Sequence, residues 1–241
     1  VDSKPLLLFD MDGTLIMPKV EELDRETNLH MEGIKSRQEM KRIAYLYGVP
    51  EVELKSLNRM AHVWNAARRY AEINGFDEVI IKRLMADLNV AFNRQEMLEH
   101  SVSHLLPGAI EALQSLCASY RLGIVTTASR AGYDRISRSE NFGTFGMFFT
   151  HSVTRDESSY LKPDPAPIYK ALEAYGCRDF LYLGDSDHDA EAARAAGGRF
   201  ILVNTRPYIE EMVQMLDPEG VVSDLRDLPG VVSTLFSLEN A

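Results

Sequence analysis

Apolar and polar positions divide the chain into a short strand, a long helical stretch and an alternating remainder. Leu6-Leu7-Leu8-Phe9 is a continuous apolar run that stops at Asp10 and a Gly13-Thr14 turn. Such a run predicts a buried strand ending at a functional loop. From about residue 21 to 103 no strand pattern is found and helical spacing takes over. Met40, Ile43, Ala44 and Tyr47 keep that spacing up to Gly48 and Pro50. Leu57, Met60, Ala61, Trp64 and Ala71 predict a second helix closed by Asn74-Gly75, and residues 79–88 and 96–105 predict a third and fourth.

After Pro107-Gly108 the pattern alternates. Helices over 109–119, 131–139, 165–175 and 190–196 are interleaved with strands over 122–126, 147–150, 180–183 and 200–203. A last short strand, Val221-Val222, precedes Asp224. Short apolar strands separated by helices predict an α/β fold, a Rossmann-like parallel sheet with helices on both faces. Roughly ninety residues of helix separate the first strand from the next, far beyond an ordinary connection. They are read as an inserted α-helical cap domain, with 1–16 and 105–241 forming the core and 17–104 the cap.

Charge adds to this picture. The formal net charge is −10, but residues 17–100 hold 13 of the 26 basic residues against 14 acidic ones, leaving the core strongly negative. That balance disfavours nucleic acid or an anionic membrane as partner, and a negative core that handles phosphate needs a cation. No N-terminal run is long enough for a membrane span or a signal-peptide core, so the reading is cytoplasmic. Cys117 and Cys177 form no CxxC pair or metal spacing and read as incidental thiols in a reducing compartment.

In an open parallel sheet, ligands collect beyond the carboxyl ends of the strands. The predicted strand ends carry Asp10-Met11-Asp12-Gly13-Thr14, Thr126-Thr127-Ala128-Ser129, Lys162-Pro163 after a loop, and Gly184-Asp185-Ser186-Asp187-His188-Asp189. Each alone has a plain structural reading: Asp-Gly makes turns, Lys-Pro is usually solvated, and Asp187 or Asp189 can cap a helix. Together, in order on successive strand ends, they place several carboxylates, a lysine and hydroxyls in one small volume. Such carboxylates cannot all stay ionised without a hard, oxygen-ligated cation, and Mg2+ suits the set.

These motifs resemble those of the haloacid dehalogenase-like (HAD) hydrolases, in the phosphoglycolate-phosphatase-like branch with a helical cap. Asp10-Met11-Asp12-Gly13-Thr14 matches the DxDGT signature, and Ile124-Val125-Thr126-Thr127 the second motif. Lys162-Pro163-Asp164-Pro165 resembles the third, and Gly184-Asp185-Ser186 with Asp189-Ala190 the fourth. The resemblance implies that Asp10 attacks phosphorus and forms an aspartyl-phosphate. It implies that Asp12 acts as general acid, then base. Thr126 and the amides of Met11, Asp12 and Thr127 would hold the phosphoryl oxygens, and Lys162 would neutralise charge on Asp10 and the phosphoryl group. Asp10, Asp185 and the Asp12 carbonyl would bind magnesium, with Asp189 supporting them from behind.

Dehalogenases that look similar carry an aromatic residue where Asp12 stands, so Asp12 favours phosphate chemistry. Thr127 replaces a common Asn, and Leu15-Ile16-Met17-Pro18 departs from the usual acidic continuation. The expected function is hydrolysis of a small phosphorylated metabolite by a monomer or homodimer. The alternative is a sugar phosphomutase like β-phosphoglucomutase. A non-catalytic scaffold would have lost a catalytic residue, and Asp10, Asp12, Lys162 and Asp185 are all present. In the cap, Arg68 and Arg69 near Trp64 read as a solvated basic face beside a core tryptophan, and His100 and His104 as helix surface.

Overall fold

The structure is a computed structural model and describes residues 4–19, 29–205 and 208–238. In chain order, β1 (Leu6–Phe9) and β2 (Ile16–Pro18) precede four helices, α1 (Leu29–Leu46), α2 (Glu51–Lys55), α3 (Met60–Ile73) and α4 (Glu78–Ser101). Then come β3 (Ser103–Leu105), α5 (Ala109–Cys117), β4 (Arg121–Val125), α6 (Arg130–Arg138), β5 (His151–Val153) and α7 (Ala166–Tyr175). The chain continues through β6 (Phe180–Gly184), α8 (Asp187–Ala195), β7 (Arg199–Val203), α9 (Glu210–Leu216), β8 (Gly220–Val222) and α10 (Leu228–Leu238).

Six strands form one parallel sheet in the order β5-β4-β1-β6-β7-β8, and β2 pairs with β3 in a separate two-stranded sheet. The chain divides into two compact units. One holds the residues up to Met17, His104–Ser158 and everything from Lys162 onward; the other holds Pro18–Ser103 and Ser159–Leu161.

The sheet unit owes its order to β1, whose four side chains are all fully buried. Because side chains alternate across a strand, Leu7 and Phe9 pack on one face with residues of α5, α6 and α10. Leu6 and Leu8 pack on the other with residues of α7, α8 and α9. Burying each such side chain stabilises the fold by roughly 1.5–3 kcal/mol. The sequence continues outward from β1 to β4 and β5, then returns to β1's other side with β6. Crossovers that depart in opposite directions leave a crevice beyond the central strand, and Asp10 is the first residue after that strand.

The helical unit has its own core, in which Met40 and Ala44 of α1, Trp64, Ala67 and Ala71 of α3, and Leu84, Leu88 and Phe92 of α4 are buried together. Gly48, at φ +97°, ends the first helix in a conformation that L side chains resist. Asp77 caps α4 by accepting from the Ile80 amide at 2.8 Å. Leu161 joins this core, and the Asn65 amide clamps its backbone, donating to the carbonyl at 2.6 Å and accepting from the N–H at 2.8 Å.

Several predicted elements need correction. The strand expected at 147–150 is a 3-10 turn, Phe145–Phe148, followed by the true strand β5. The aromatic run misleads because Phe145 and Phe149 enter the core from a loop, Phe149 meeting Phe9 edge-on at 6.2 Å. The edge strand itself, His-Ser-Val, carries little apolar signal. Helices expected over 79–88 and 96–105 are one 24-residue helix, α4, which ends before β3. Asn89 and Asn93 look like a break, yet no Gly or Pro interrupts the segment and Ala91 and Phe92 carry the buried face through it. His100 is accordingly buried, and His104 lies in β3, so neither sits on a helix surface. The helix carrying Met40, Ile43 and Ala44 is described over Leu29–Leu46, and Leu57, expected in the second helix, precedes α3. Residues 20–28 of the expected cap lie outside the described residues.

Candidate active site

The loop after β1 is built by its own backbone. The Asp10 amide donates to Leu183 O (2.8 Å), the Gly13 amide to Ile16 O (2.7 Å) and the Leu15 amide to Met11 O (2.9 Å). Gly13 is required twice over. Its φ is +90°, and a Cβ there would lie 2.3 Å from Asp185 Oδ2. The missing side chain therefore lets the loop after β1 and the loop after β6 meet. Thr205, just beyond β7, donates its hydroxyl to Gly13 O at 2.5 Å and fixes that approach.

Lys162 is the hub. Only 3% exposed, its ammonium donates to Asp10 Oδ1 (2.7 Å), Asp189 Oδ1 (2.6 Å), Tyr182 Oη (2.8 Å) and Val125 O (3.0 Å). Tyr182 in turn donates to Val125 O at 2.9 Å. Burial opposes the lysine's charge, but Asp10 and Asp189 beside it outweigh that and hold its pKa well above the ordinary value. Tyr182 was not among the residues that sequence reasoning selected. Its signal was a phenol in an otherwise apolar, buried strand, since a buried tyrosine hydroxyl needs a partner.

Burial pushes the Asp10 carboxyl well up; Lys162 pulls it down, while Asp189 and Asp185 push it further up. Carboxylate oxygens of Asp10, Asp185 and Asp189 lie within 4.8 Å of one another, all buried. One lysine does not offset three such groups. The set is all oxygen, tightly spaced and electrostatically frustrated, which fits a hard divalent cation. Asp189 is held by the protein on both oxygens, the first by Lys162. Its second oxygen accepts from the Ser186 amide (3.1 Å) and hydroxyl (2.6 Å), closing a capping box at the start of α8.

The β4 loop faces this cluster. Thr126, 2% exposed, donates its hydroxyl toward Asp12 Oδ2 at 3.5 Å and accepts from the Ala128 amide at 3.0 Å. Ser129 caps α6 through the Gly132 amide. Thus Lys162 joins Asp10 and Asp189 by direct hydrogen bonds, Asp185 lies beside those two carboxylates, and Asp12 pairs with Thr126. Met11 is fully buried, turned into the sheet core, so it can offer only its backbone. Thr127 is half-buried, and its carbonyl accepts from Arg155.

The parallel core, the inserted helices and the acids at the strand ends define an α/β protein with an aspartate-rich site at the carboxyl ends of its strands. A family model for haloacid dehalogenase-like hydrolases matches residues 5–197. The chain belongs to that family, as a phosphohydrolase. It is similar to a phosphoglycolate phosphatase of Cereibacter sphaeroides, 28% identical over 251 residues, covering 97% of this chain and 100% of that one. Pyrophosphatase PpaX of Bacillus velezensis is 32% identical over 113 residues, 46% of this chain and 51% of the other. A solved 2-haloacid dehalogenase from Pseudomonas syringae shares the fold with a TM-score of 0.57 at 19% identity, covering 96% of this chain and 99% of that one. Among the described residues no helix is long and apolar enough to cross a membrane.

Proposed function

We propose that this protein is a magnesium-dependent phosphatase of a small phosphorylated metabolite, phosphoglycolate phosphatase-like, acting through an aspartyl-phosphate on Asp10. The observation that carries the reading is the buried Lys162 ammonium shared by Asp10 and Asp189, with Asp185 at the same point. Asp10 has to be ionised to attack, and burial works against that. Lys162 supplies one of the cations that keep it charged. Asp10, Asp185 and the Asp12 carbonyl would hold magnesium. Bound there, the ion supplies Lewis-acid neutralisation of the phosphoryl oxygens and favours the ionised nucleophile. Asp189, with both oxygens already accepting protein hydrogen bonds, is suited to positioning Lys162 instead of ligation.

In the first step a bond forms between an Asp10 carboxylate oxygen and phosphorus as the ester P–O bond breaks, and Asp12 gives its proton to the leaving oxygen. In the second, water attacks phosphorus, its proton passes to Asp12, and the acyl-phosphate bond breaks to return Asp10. The Thr126 hydroxyl, with the amides of Met11, Asp12 and Thr127, suits the phosphoryl oxygens. Full-length similarity to phosphoglycolate phosphatases supports a small phosphomonoester; similarity to PpaX covers only about half the chain.

The test is release of inorganic phosphate from a panel that includes 2-phosphoglycolate, pyrophosphate and hexose 1-phosphates. Expected are hydrolysis of a small phosphomonoester, its loss on chelation, recovery with magnesium, and no turnover by a folded Asp10→Asn variant. Substantial Asp10→Asn activity would reject the covalent route. Sugar-phosphate isomerisation outpacing phosphate release would make the protein a mutase.

A further inference from the structure

Arg155 is the largest fully buried side chain described in the molecule, 1% exposed, and nothing in the reaction above uses it. A guanidinium is costly to bury unless the fold holds it to a task. Its place is fixed from several sides. Thr154 and Glu157 close a capping box around the short turn Arg155–Glu157, which follows β5. Glu157 also pairs with Arg130 at 2.9 Å, and the Arg130 amide donates to Asp156 at 2.7 Å. The turn is thereby braced against the start of α6, the helix that the phosphate loop opens.

From that position Arg155 holds two successive carbonyls of the loop. Its amide donates to Ala128 O at 2.9 Å and its guanidinium Nη1 donates to Thr127 O. The second contact matters for chemistry. Thr127 O and the Ala128 N–H belong to one planar trans peptide, so they point in opposite directions. With its oxygen drawn to Arg155, that peptide turns its N–H onto Thr126 Oγ1 at 3.0 Å. An N–H donated to the hydroxyl oxygen leaves Thr126 its own O–H as donor, directed toward Asp12 and the space a phosphoryl oxygen would take. The contact also keeps the Thr127 carbonyl, a negative dipole end, occupied and away from an anion.

We propose that Arg155 is a positioning residue for phosphoryl transfer, acting through the Thr127–Ala128 peptide to set the Thr126 hydroxyl as a donor. The assignment rests on the phosphatase reading. The relay is Arg155 guanidinium, Thr127 carbonyl, Ala128 N–H, Thr126 hydroxyl, and it adds a buried positive charge behind the phosphate loop.

A double-mutant cycle tests it, read by kcat/KM on the best substrate of the panel and by inhibition with inorganic orthovanadate. Arg155→Met is expected to lower kcat/KM roughly tenfold or more, since small misplacements at a reacting centre are costly, and to weaken vanadate inhibition in parallel. In a Thr126→Ala background the same change is expected to cost less than about twofold, because the group it acts through is gone. Thr126→Ser, which keeps the hydroxyl, is expected to restore the dependence on Arg155. Equal losses in the wild-type and Thr126→Ala backgrounds, or no loss in either, overturn the proposal and leave Arg155 a purely structural residue. Should Arg155→Met fail to fold, Arg155→Lys, which keeps the charge on a head without the planar fork, runs the same cycle under the same criteria. Failure of the wild-type protein to hydrolyse any phosphomonoester is a separate result and rejects the phosphatase reading itself.

Discussion

Two polar networks in this molecule use nearly the same groups and behave in opposite ways. In the sheet unit Lys162 joins Asp10, Asp189 and Tyr182. In the helical unit Arg68 and Arg69 stand with Glu72 and Tyr160: Arg68 bonds Glu72 at 2.5 Å, Tyr160 donates to Glu72, and Arg69 lies 5.7 Å from the Tyr160 ring centre. Burial is the largest single influence on Glu72 and raises its pKa, but Tyr160, Arg68 and Arg69 together prevail and hold it below the ordinary value. At Asp10 burial prevails and the carboxyl is driven up despite Lys162. The difference is solvent. Side-chain exposure is 38% for Glu72 and 10% for Asp10. A carboxylate in contact with water is content with its partners, whereas one buried among like charges calls for another cation. Composition alone does not separate a reactive cluster from a surface one; desolvation does.

The comparison breaks hardest at its centre. Lys162→Met is expected to cut kcat by about 10³-fold, the loss seen when a preorganised positive group is removed from a developing charge. Lys162→Arg is expected to recover little, because the site packs four acceptors around a compact ammonium. Steady-state kinetics with circular dichroism as a folding check decide this. Wild-type-like turnover of Lys162→Met would remove Lys162 from the chemistry, and that of Lys162→Arg would show that charge alone, without the compact ammonium, suffices.

A smaller effect is expected one contact out. Tyr182→Phe deletes the phenol between Lys162 and Val125 O without removing a charge. Stability is expected to fall by about 1–3 kcal/mol from polar groups left short of a partner. Turnover is expected to fall less than in Lys162→Met, since Lys162 keeps Asp10 and Asp189. Thermal unfolding and kcat measured together separate the two. A loss of turnover matching Lys162→Met would mean that the phenol takes part directly.

Much of this was legible in the sequence where both faces of an element are buried. Residues 6–9, 122–126, 180–183 and 200–203 read as strands because sheets covered on both sides need continuous apolar runs. The edge strand β5, with His151 exposed, lacks that signature, and β2 and β3 are too short to carry a period. The short helices α2 and α9 and the C-terminal α10 went unread as well. Within the site, Asp10, Asp12, Thr126, Asp185 and Asp189 were readable because each stands just past a strand end or opens the following helix, and Lys162 because of the Lys-Pro pair in the loop before α7. Tyr182 and Arg155 were not. Their roles depend on partners 20 and 28 positions away, Lys162 and Thr127, and no local pattern encodes a contact across neighbouring strands or between loops.

The smallest effect belongs to the exposed network, and its sign follows from linkage. Glu72 has a folded-state pKa below its unfolded value, so its contribution is present above the unfolded pKa, near 4.3, and is lost as pH falls through the folded one. With the side chain 38% exposed and screened by water, that contribution at neutral pH is about 0–1 kcal/mol. Glu72→Gln is therefore expected to unfold at slightly lower denaturant than wild type at pH 7. The gap should close as pH drops below about 4, where protonation makes the wild-type side chain neutral too. Turnover is expected to stay within about twofold, the scale of a surface substitution away from the chemistry. A gap that survives acid would show that packing of the Glu72 stem, and not its charge, holds Arg68 and Tyr160. A tenfold kinetic loss would instead make Arg68 or Arg69 a reader of the substrate's anionic end.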